Sequence, residues 1–152
     1  MYQAMEAKDQ KALWPHFLVI GAGKSGTTSL HEYLKQHPQI FMARKEPNFF
    51  AYENLDPSTL DDPDDREHYA QSFVSPESYL NLFAEAREGQ LRGEVSNTYI
   101  SKDGAWANIQ RRLPEVKLIA ILRHPAKRLF SRYTHLLRDG QDLAGAPEAF
   151  FE

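Results

Sequence analysis

The stretch FLVIGAGKSGTTSL, residues 17–30, decides the fold of this protein. Its first four residues are apolar and typical of a buried strand, whereas residues 27–34 have the pattern of a helix. At the start of such a helix, free N–H groups and the positive end of the helix dipole favour an anion. The glycines between strand and helix let a ligand approach the backbone closely. The stretch therefore predicts a strand, an anion-binding loop and a helix; the alternative is a plain glycine-rich turn.

The loop differs from the phosphate-binding pattern G-x-x-x-x-G-K-S/T. When Gly23, Lys24 and Ser25 occupy the last three positions, the first glycine of the pattern would fall at Leu18, inside the apolar run. The wide turn that this glycine opens is therefore missing. The sequence predicts an anion site of a narrower kind.

Strands and helices alternate along the rest of the chain. The elements predicted after the first helix are an extended segment at 40–42, a helix from Ser75 to about Arg87, a strand or loop within 93–100, a helix at 104–113, a strand at 117–122 and a helix from Pro125 to Gly140. This order indicates βαβ units, and so an α/β fold with a central parallel sheet flanked by helices. The strand at 117–122 is predicted to be buried on both faces. The residues of the last helix that are predicted to face inward are Leu129, Tyr133, Leu136 and Leu137.

Composition and charge narrow the possible ligands. The 152 residues fit one domain, and 41% hydrophobic residues can supply a core. Because 18 Lys and Arg stand against 21 Asp and Glu, the net charge is −3, and the chain has no general attraction for nucleic acid or an anionic membrane. Residues 53–67 are rich in carboxylates, whereas residues 111–138 hold eight Lys or Arg and one Glu. A basic segment in an acidic protein suggests a specific anionic ligand.

The cysteine count and the lengths of the apolar runs indicate the cellular compartment of the protein. The sequence has no cysteine, which excludes disulfides and cysteine-ligated zinc and suits a reducing cytoplasm. No apolar run approaches the roughly 20 residues needed to span a bilayer, and residues 1–14 lack the apolar core of a signal peptide. We therefore expect a cytoplasmic protein with an N-terminal tail at 1–15, one domain at 16–152, and a mobile acidic insertion at 53–67.

The second cationic segment, Arg123-His124-Pro125, directly follows the predicted strand at 117–122. In parallel sheets, ligands bind beyond the carboxyl ends of the strands. The glycine-rich loop also follows a strand, so the two segments can share one pocket.

Three stretches together resemble the sulfotransferases that use 3′-phosphoadenosine 5′-phosphosulfate (PAPS), most closely the carbohydrate (heparan-sulfate-modifying) type and its bacterial relatives. They are GAGKSGTTSL at 21–30, KEPNFF at 45–50 and LRHPAKRLFSRY at 122–133. The resemblance implies a P-loop-like three-layer α/β fold, PAPS as sulfate donor, PAP as product, no metal, and a bacterial source. It runs from about Phe17 to His135. Relatives continue with further elements, so it also implies a domain that lacks its C-terminal part.

The resemblance assigns roles to the two cationic segments. The first loop binds the 5′-phosphosulfate, and its lysine, Lys24 here, stabilises the departing phosphate. The family pattern R-x-P-x-x-R-x-x-S-x-Y binds the 3′-phosphate and matches Arg123, Pro125, Arg128, Ser131 and Tyr133. The donor-binding residues that the resemblance implies are Gly23, Lys24, Ser25, Gly26, Thr27, Thr28, Ser29, Arg123 and Ser131.

The resemblance also implies a general base at Glu46, the glutamate of KEPNFF. The adjacent Arg44 and Lys45 would lower the pKa of this carboxyl, whereas partial burial beside Phe49 and Phe50 would raise it.

The stretch GEVSNTYI, residues 93–100, departs from the family pattern G-E-K/A/S-S/T-P-x-Y. Val95 stands where the pattern has a lysine that often contacts substrate or donor, and Asn97 stands at the proline. Glu94 and Tyr99 keep the pattern. The lysine contact of the family is therefore in doubt here.

The leading hypothesis is transfer of a sulfuryl group from PAPS to a hydroxyl or amine of a small-molecule, lipid or carbohydrate acceptor. Its base is Glu46, with His124 or His135 as alternatives because another branch of the family uses a histidine. A P-loop kinase or NTPase is a second hypothesis, although Arg123 stands where a magnesium-holding aspartate would be expected. The third hypothesis is a catalytically silent nucleotide-binding fragment. The acidic stretch 53–67 hints at a cationic or polyhydroxylated acceptor.

Overall fold

The computed structural model describes residues 13–140, in which four strands form one sheet. The strands are β1 (Phe17–Gly21), β2 (Ile40–Met42), β3 (Leu91–Val95) and β4 (Lys117–Ala120). The α-helices are α1 (Thr27–Lys35), α2 (Phe49–Tyr52), α3 (Pro63–Gln71), α4 (Pro76–Asn81), α5 (Ala105–Arg112) and α6 (Pro125–Arg138). Two 3₁₀ turns lie at Pro57–Thr59 and Asn97–Ile100.

The sheet is parallel throughout, with the strand order β2-β3-β1-β4. Phe17 of β1 is the register partner of Gly93 on one side and Lys117 on the other. A Cβ atom on Gly93 would lie 2.1 Å from the Phe17 ring, so this position requires glycine. Because all strands run the same way, their carboxyl ends meet at one edge of the sheet. The predicted α/β class with a parallel sheet is confirmed.

Alternating residues of β1 enter two separate apolar clusters. Leu18 belongs to the larger cluster, whose other members come chiefly from α2, α4 and α5. Phe17 and Val19 belong to the second cluster, against which Leu30 and Leu34 of α1 pack. Helices therefore cover both faces of the central strand, and the molecule has three layers, as predicted.

The larger cluster is dominated by aromatic side chains. Phe49 stacks on Tyr79 with ring centroids 4.5 Å apart, and Phe50 meets the same tyrosine edge-on at 5.5 Å. Phe83 also packs edge-on against Tyr79. Both phenylalanines of KEPNFF are fully buried, so this motif anchors its own segment in the core.

The prediction that residues 117–122 form a strand buried on both faces is wrong. The strand ends at Ala120, and Leu122 is 74% exposed. Among the described residues β4 pairs on one side only, with β1, and so forms the edge of the sheet. An apolar run gives no information about how many neighbours a strand has.

The helix from Ser75 begins as predicted but ends at Asn81, not near Arg87. The Ser75 hydroxyl accepts a hydrogen bond from the Ser78 N–H at 3.2 Å, the expected N-cap. Beyond Asn81 the chain continues in tighter turns, in which the Phe83 N–H bonds to the carbonyl oxygen of Leu80. These turns bring Phe83 into the core.

The last helix, α6, is only partly covered among the described residues. Leu129, Tyr133 and Leu136 are half-buried, whereas Leu137 is exposed, contrary to the prediction that it faces inward. The helix has no buried residue, and its contacts with the rest of the protein include that of Arg128 with the loop before α1.

The acidic stretch 53–67 contains one 3₁₀ turn and the start of α3. Its first carboxylate, Glu53, is buried and forms ion pairs with Arg111 and Arg112 of α5. The mobility of the rest of this stretch stays a prediction. None of the helices described between residues 13 and 140 has the length and apolar character that a bilayer crossing requires.

Candidate functional site

The loop between β1 and α1 is fixed by glycines and by the end of β4. Gly21 has a φ of 136°, and a Cβ atom there would lie 2.8 Å from the Ile100 side chain. Gly26, with a φ of 103°, stands immediately before the first turn of α1. The Ala22 N–H donates to the Ile121 carbonyl and the Ile121 N–H to the Gly21 carbonyl, each at 2.8 Å. The loop is therefore tied to the segment that leads into the second cationic motif.

Two arginines of that motif reach the loop. Arg123 Nη1 donates to the Lys24 carbonyl oxygen at 3.2 Å. Arg128 Nε donates to the Gly23 carbonyl oxygen at 3.0 Å. The structure thus brings the two segments together at the carboxyl edge of the sheet, and both guanidinium groups keep further N–H donors.

Lys24 lies among other cations. Partial burial lowers the pKa of its amine, and the positive charges of Arg138, Arg132 and Lys45 lower it further, against an opposing effect of Asp139. The sequence did not single out Arg132 or Arg138 as neighbours of the loop; their charges reach Lys24 because of the direction that α6 takes after Pro125. A cluster of positive charges around one loop stabilises an anion.

The hydroxyl groups of the loop and of α1 differ in their surroundings. Thr27 is buried, whereas Thr28 and Ser29 are exposed. The Lys45 amine donates to the Thr28 hydroxyl at 2.5 Å. The Ser25 hydroxyl oxygen is buried and, within the described part of the chain, has no hydrogen-bond partner. An unpartnered hydroxyl beside a cationic loop fits a ligand that carries anionic oxygens.

The remaining residues of the second motif lie along α6. Ser131 is half-buried in the middle of that helix, and its contact with a phosphate remains a prediction. His124 is exposed at the start of the helix. His135 Nδ1 lies 2.7 Å from Arg138 Nη2 and 3.3 Å from Asp139 Oδ2, so this histidine already has two polar neighbours. Both histidines stay alternatives to Glu46.

Glu46 follows β2 and lies against the end of β3. Its N–H donates to the Val95 carbonyl at 2.8 Å, and its φ is 55°. Both carboxylate oxygens accept hydrogen bonds from Asn97: Oε2 from the backbone N–H at 2.9 Å and Oε1 from Nδ2 at 2.8 Å. Burial raises the pKa of Glu46, against smaller lowering effects of the Asn97 hydrogen bond, Lys45 and His68.

Asn97 is a site residue that the sequence interpretation missed, since it was treated only as a departure from the family proline. A proline has no N–H and no side-chain amide, so neither bond to Glu46 could form with it. The pairing of β2 with β3 brings the segments that follow these strands together. Nothing in the spacing of Glu46 and Asn97 along the chain indicates this contact.

A buried carboxyl group, Glu94, lies beneath this arrangement. It accepts hydrogen bonds from the hydroxyls of Tyr99 at 2.7 Å, Ser96 at 2.8 Å and Tyr79 at 3.3 Å. Burial raises the pKa of Glu94 to about 7, although the three hydroxyls lower it. The Ser96 hydroxyl also accepts from the Asn48 N–H at 3.0 Å, which ties the network to KEPNFF.

Lys45 connects the two halves of the candidate site. Its amine bonds to Thr28 of α1 and lies 4.0 Å from Glu46 Oε1. The carboxylate is therefore a near neighbour of the cationic loop, and the candidate site places a cluster of positive charges beside a half-buried carboxylate. Between residues 13 and 140, no group of three or more His, Asp or Glu side chains could hold a metal ion.

Known proteins are similar to this chain in sequence and in fold. Residues 15–149 match the profile of the sulfotransferase family. Heparan sulfate glucosamine 3-O-sulfotransferase 3A1 of Mus musculus is 30% identical over 129 residues, which cover 85% of this chain and 28% of that protein. The membrane-associated sulfotransferase kil1 of Dictyostelium discoideum is 31% identical over 120 residues, which cover 78% of this chain and 22% of that protein.

A solved structure agrees with the sequence matches. The crystal structure of a sulfotransferase from Alicyclobacillus acidocaldarius superimposes with a TM-score of 0.75 at 33% identity and covers 85% of this chain. The match covers 52% of that chain, so the present chain spans about half of that structure and less than a third of these two relatives. Its profile match covers most of the sequence, and the chain belongs to the sulfotransferase family.

Proposed function

We propose that the protein transfers a sulfuryl group from PAPS to a hydroxyl or amine of an acceptor by in-line displacement. The observation that carries this proposal is the position of the Lys45 amine. It bonds to Thr28 beside the cationic loop and lies 4.0 Å from Glu46 Oε1. A cationic loop that can hold the donor and a half-buried carboxylate that can take a proton, on either side of one lysine, are the two parts that such a transfer needs. The family match and the names of the relatives support the same reaction.

The donor would lie along the loop and the start of α6. Lys24 and the hydroxyls of Ser25, Thr27, Thr28 and Ser29 would hold the 5′-phosphosulfate, together with the N–H groups around Gly23 and Gly26. Arg123 and Ser131 would hold the 3′-phosphate, and a guanidinium can bind it through two parallel hydrogen bonds. The unpartnered Ser25 hydroxyl and the charges around Lys24 support this assignment. No metal is required.

In the proposed step, an acceptor oxygen forms a bond to sulfur while the bond between sulfur and the bridging phosphate oxygen breaks. The negative charge that remains on the phosphate of PAP is stabilised by the Lys24 ammonium, more strongly in the transition state than in the ground state. The acceptor proton passes to Glu46. Because burial raises the pKa of this carboxyl, it is a stronger base than an exposed glutamate.

For the acceptor we propose a chemical class, a carbohydrate. The name of the Mus musculus relative refers to the 3-O position of heparan sulfate glucosamine, which supports a carbohydrate hydroxyl over a lipid or another small molecule. The cytoplasmic location remains a prediction from the cysteine-free sequence, and one relative is named as membrane-associated.

The test is transfer of radioactive sulfate from labelled PAPS, measured together with thermal unfolding in the presence of PAP. We expect PAP to raise the unfolding temperature and Mg-ATP to leave it unchanged. Lys24→Ala should lower transfer at least 100-fold while the protein stays folded, whereas Lys35→Ala, at the exposed end of α1, should have no effect.

A rise in unfolding temperature with Mg-ATP alone would favour the kinase or NTPase hypothesis. Tight PAP binding without transfer to any acceptor would identify a silent nucleotide-binding module. Retained turnover in Lys24→Ala would contradict the role given to this lysine.

A further inference from the structure

Lys45 takes no part in the proposed transfer step, although its amine lies between the two halves of the candidate site. The ammonium donates to the Thr28 hydroxyl at 2.5 Å and lies 4.0 Å from Glu46 Oε1. Its positive charge lowers the pKa of Lys24 and the pKa of Glu46. Lys45 is therefore within electrostatic reach of both the proposed leaving-group cation and the proposed base.

The Lys45 ammonium has N–H donors that a ligand can use. A lysine carries three such donors and no acceptor. Thr28 takes one of them, and the Glu46 oxygen, at 4.0 Å, is beyond hydrogen-bond distance. The side chain is partly buried, with 28% of it exposed. The amine can therefore bind oxygen atoms of a ligand while it keeps its bond to Thr28.

In-line displacement restricts where the transferred group can lie. The acceptor oxygen, the sulfur and the departing phosphate oxygen stand on one line during the transfer, as in phosphoryl transfer. In the proposed function Lys24 stands at the phosphate end of this line and Glu46 at the acceptor end. The sulfuryl group would lie between them, and Lys45 is the lysine whose charge affects both residues.

One cationic position of the family pattern is unfilled in this chain. Val95 stands where the pattern has a lysine that often contacts substrate or donor. The Val95 side chain is fully buried in the apolar cluster against which Leu30 and Leu34 of α1 pack. The Glu46 N–H donates to the Val95 carbonyl, so the segment that carries Lys45 runs beside this position. Since Lys45 also bonds to α1, it brings a cation to the side of the sheet where Val95 offers none.

We propose that Lys45 binds the sulfate group of the donor and fixes its oxygens between Lys24 and Glu46. The inference rests on the proposed sulfuryl transfer and adds one residue to its donor site. The ammonium would donate to sulfate oxygens that lie off the line of the breaking bond, whereas Lys24 stabilises the departing phosphate. Because PAP carries no sulfate, Lys45 should distinguish the donor from the product.

The test compares the affinities of PAPS and PAP in the absence of any acceptor, so that no transfer occurs. Titration calorimetry with each nucleotide gives the ratio of the two dissociation constants. Lys45→Met keeps a long side chain but removes its charge. In this variant the preference for PAPS over PAP should fall about tenfold, because a charge-assisted hydrogen bond to the sulfate is lost. The affinity for PAP should fall far less.

Two further variants separate a contact with sulfate from a structural role. Lys45→Arg keeps a cation with several N–H donors and should retain part of the preference for PAPS. Arg44→Met removes the neighbouring exposed cation, whose guanidinium lies 5.0 Å from the centre of the Phe73 ring, and should leave the preference unchanged. Urea unfolding without ligand checks that each variant is folded.

The outcomes separate the inference from the proposed function. Equal losses of affinity for PAPS and PAP in Lys45→Met would mean that Lys45 contacts the phosphate or supports the fold. An unchanged preference in Lys45→Met, or an equal fall in Arg44→Met, would show that Lys45 makes no specific contact with the sulfate. Each of these results would overturn the inference and leave the proposed function standing. Failure of the unaltered protein to bind PAP would overturn the proposed function itself.

Discussion

The carboxylate half and the cationic half of the candidate site are built in different ways. Glu46 is followed by Phe49 and Phe50, which are fully buried, so its segment is anchored in the aromatic core. Arg123 lies in the segment between the edge strand and α6, and Arg128 lies on α6, a helix without buried residues; each donates to a carbonyl of the loop. Glu46, the proposed base, is thus positioned by the core, whereas the two arginines of the cationic half are positioned by polar contacts at the surface. Substitutions in the first half should affect stability, and substitutions in the second should affect mainly ligand binding.

The largest expected effect compares one phenylalanine from each half. Phe49→Ala should lower the free energy of unfolding by about 3–5 kcal/mol, because it removes a fully buried ring and leaves a cavity. Phe130→Ala, on the 62% exposed side chain in α6, should change it by less than about 0.5 kcal/mol. Urea unfolding measures both. Equal losses would show that the two halves are packed alike.

A second effect concerns Glu94 and the pH dependence of stability. Its pKa is about 7 in the folded protein against 4.5 ordinarily, so the Glu94 carboxyl stays protonated to a higher pH in the folded state than in the unfolded state. The resulting stabilisation is present below about pH 4.5 and is lost as the pH rises through 7, by up to roughly 3 kcal/mol. The side chain introduced by Glu94→Gln is uncharged at every pH, so the variant should not lose this stability as the pH rises.

Urea unfolding of both proteins between pH 5 and 8 measures the difference. The wild type should lose stability relative to Glu94→Gln as the pH rises. If the two curves run parallel, burial does not raise the pKa of Glu94 as described.

A third, smaller effect tests the cationic half. Arg123→Ala should weaken PAP binding about 10- to 100-fold, since a charge-assisted hydrogen bond to phosphate contributes about 1.5–3 kcal/mol. The unfolding temperature without ligand should hardly change, because the side chain is exposed. Titration calorimetry with PAP measures the loss, and Arg87→Ala, at an exposed position outside the site, is the control. An unchanged affinity would remove Arg123 from the donor site.

The smallest effect concerns Asn97 as a positioning residue. Asn97→Ala removes one of the two hydrogen bonds to the Glu46 carboxylate, so the pKa of Glu46 should rise and the acidic limb of the activity profile should move to higher pH. Carbon NMR of labelled glutamate reports the same pKa without turnover. Asn81→Ala, at the exposed end of α4, should shift neither measurement. A lower rate with an unshifted profile would mean that Asn97 acts only on the fold.

Much of the fold could be predicted because it depends on local patterns. The apolar run at β1 and the glycines before α1 define a strand, a loop and a helix within one short stretch. The failures have a different origin. Leu122 is apolar, but its exposure depends on which elements pack beside β4. The early end of α4 at Asn81 depends on tight turns that carry Phe83 into the core, which an apolar stripe does not encode.

The candidate site was predictable to the extent that it follows motifs. Lys24 and Arg123 were expected at one edge of the sheet because both follow parallel strands. The bonds from Asn97 to Glu46 join two segments that meet only through the strand order. The same holds for Arg138, whose proximity to Lys24 depends on the direction of a whole helix.

The unpartnered hydroxyl of Ser25 has a consequence for which ions the loop can retain. A buried hydroxyl without an acceptor costs about 1–3 kcal/mol, and this cost disappears when an oxygen atom arrives at the right depth. A halide ion would neutralise the surrounding charge but would accept only a weaker, less directional bond. The loop should therefore select phosphate and sulfate over chloride by hydrogen bonding as well as by charge, and so remain able to bind the proposed donor in ordinary cellular salt.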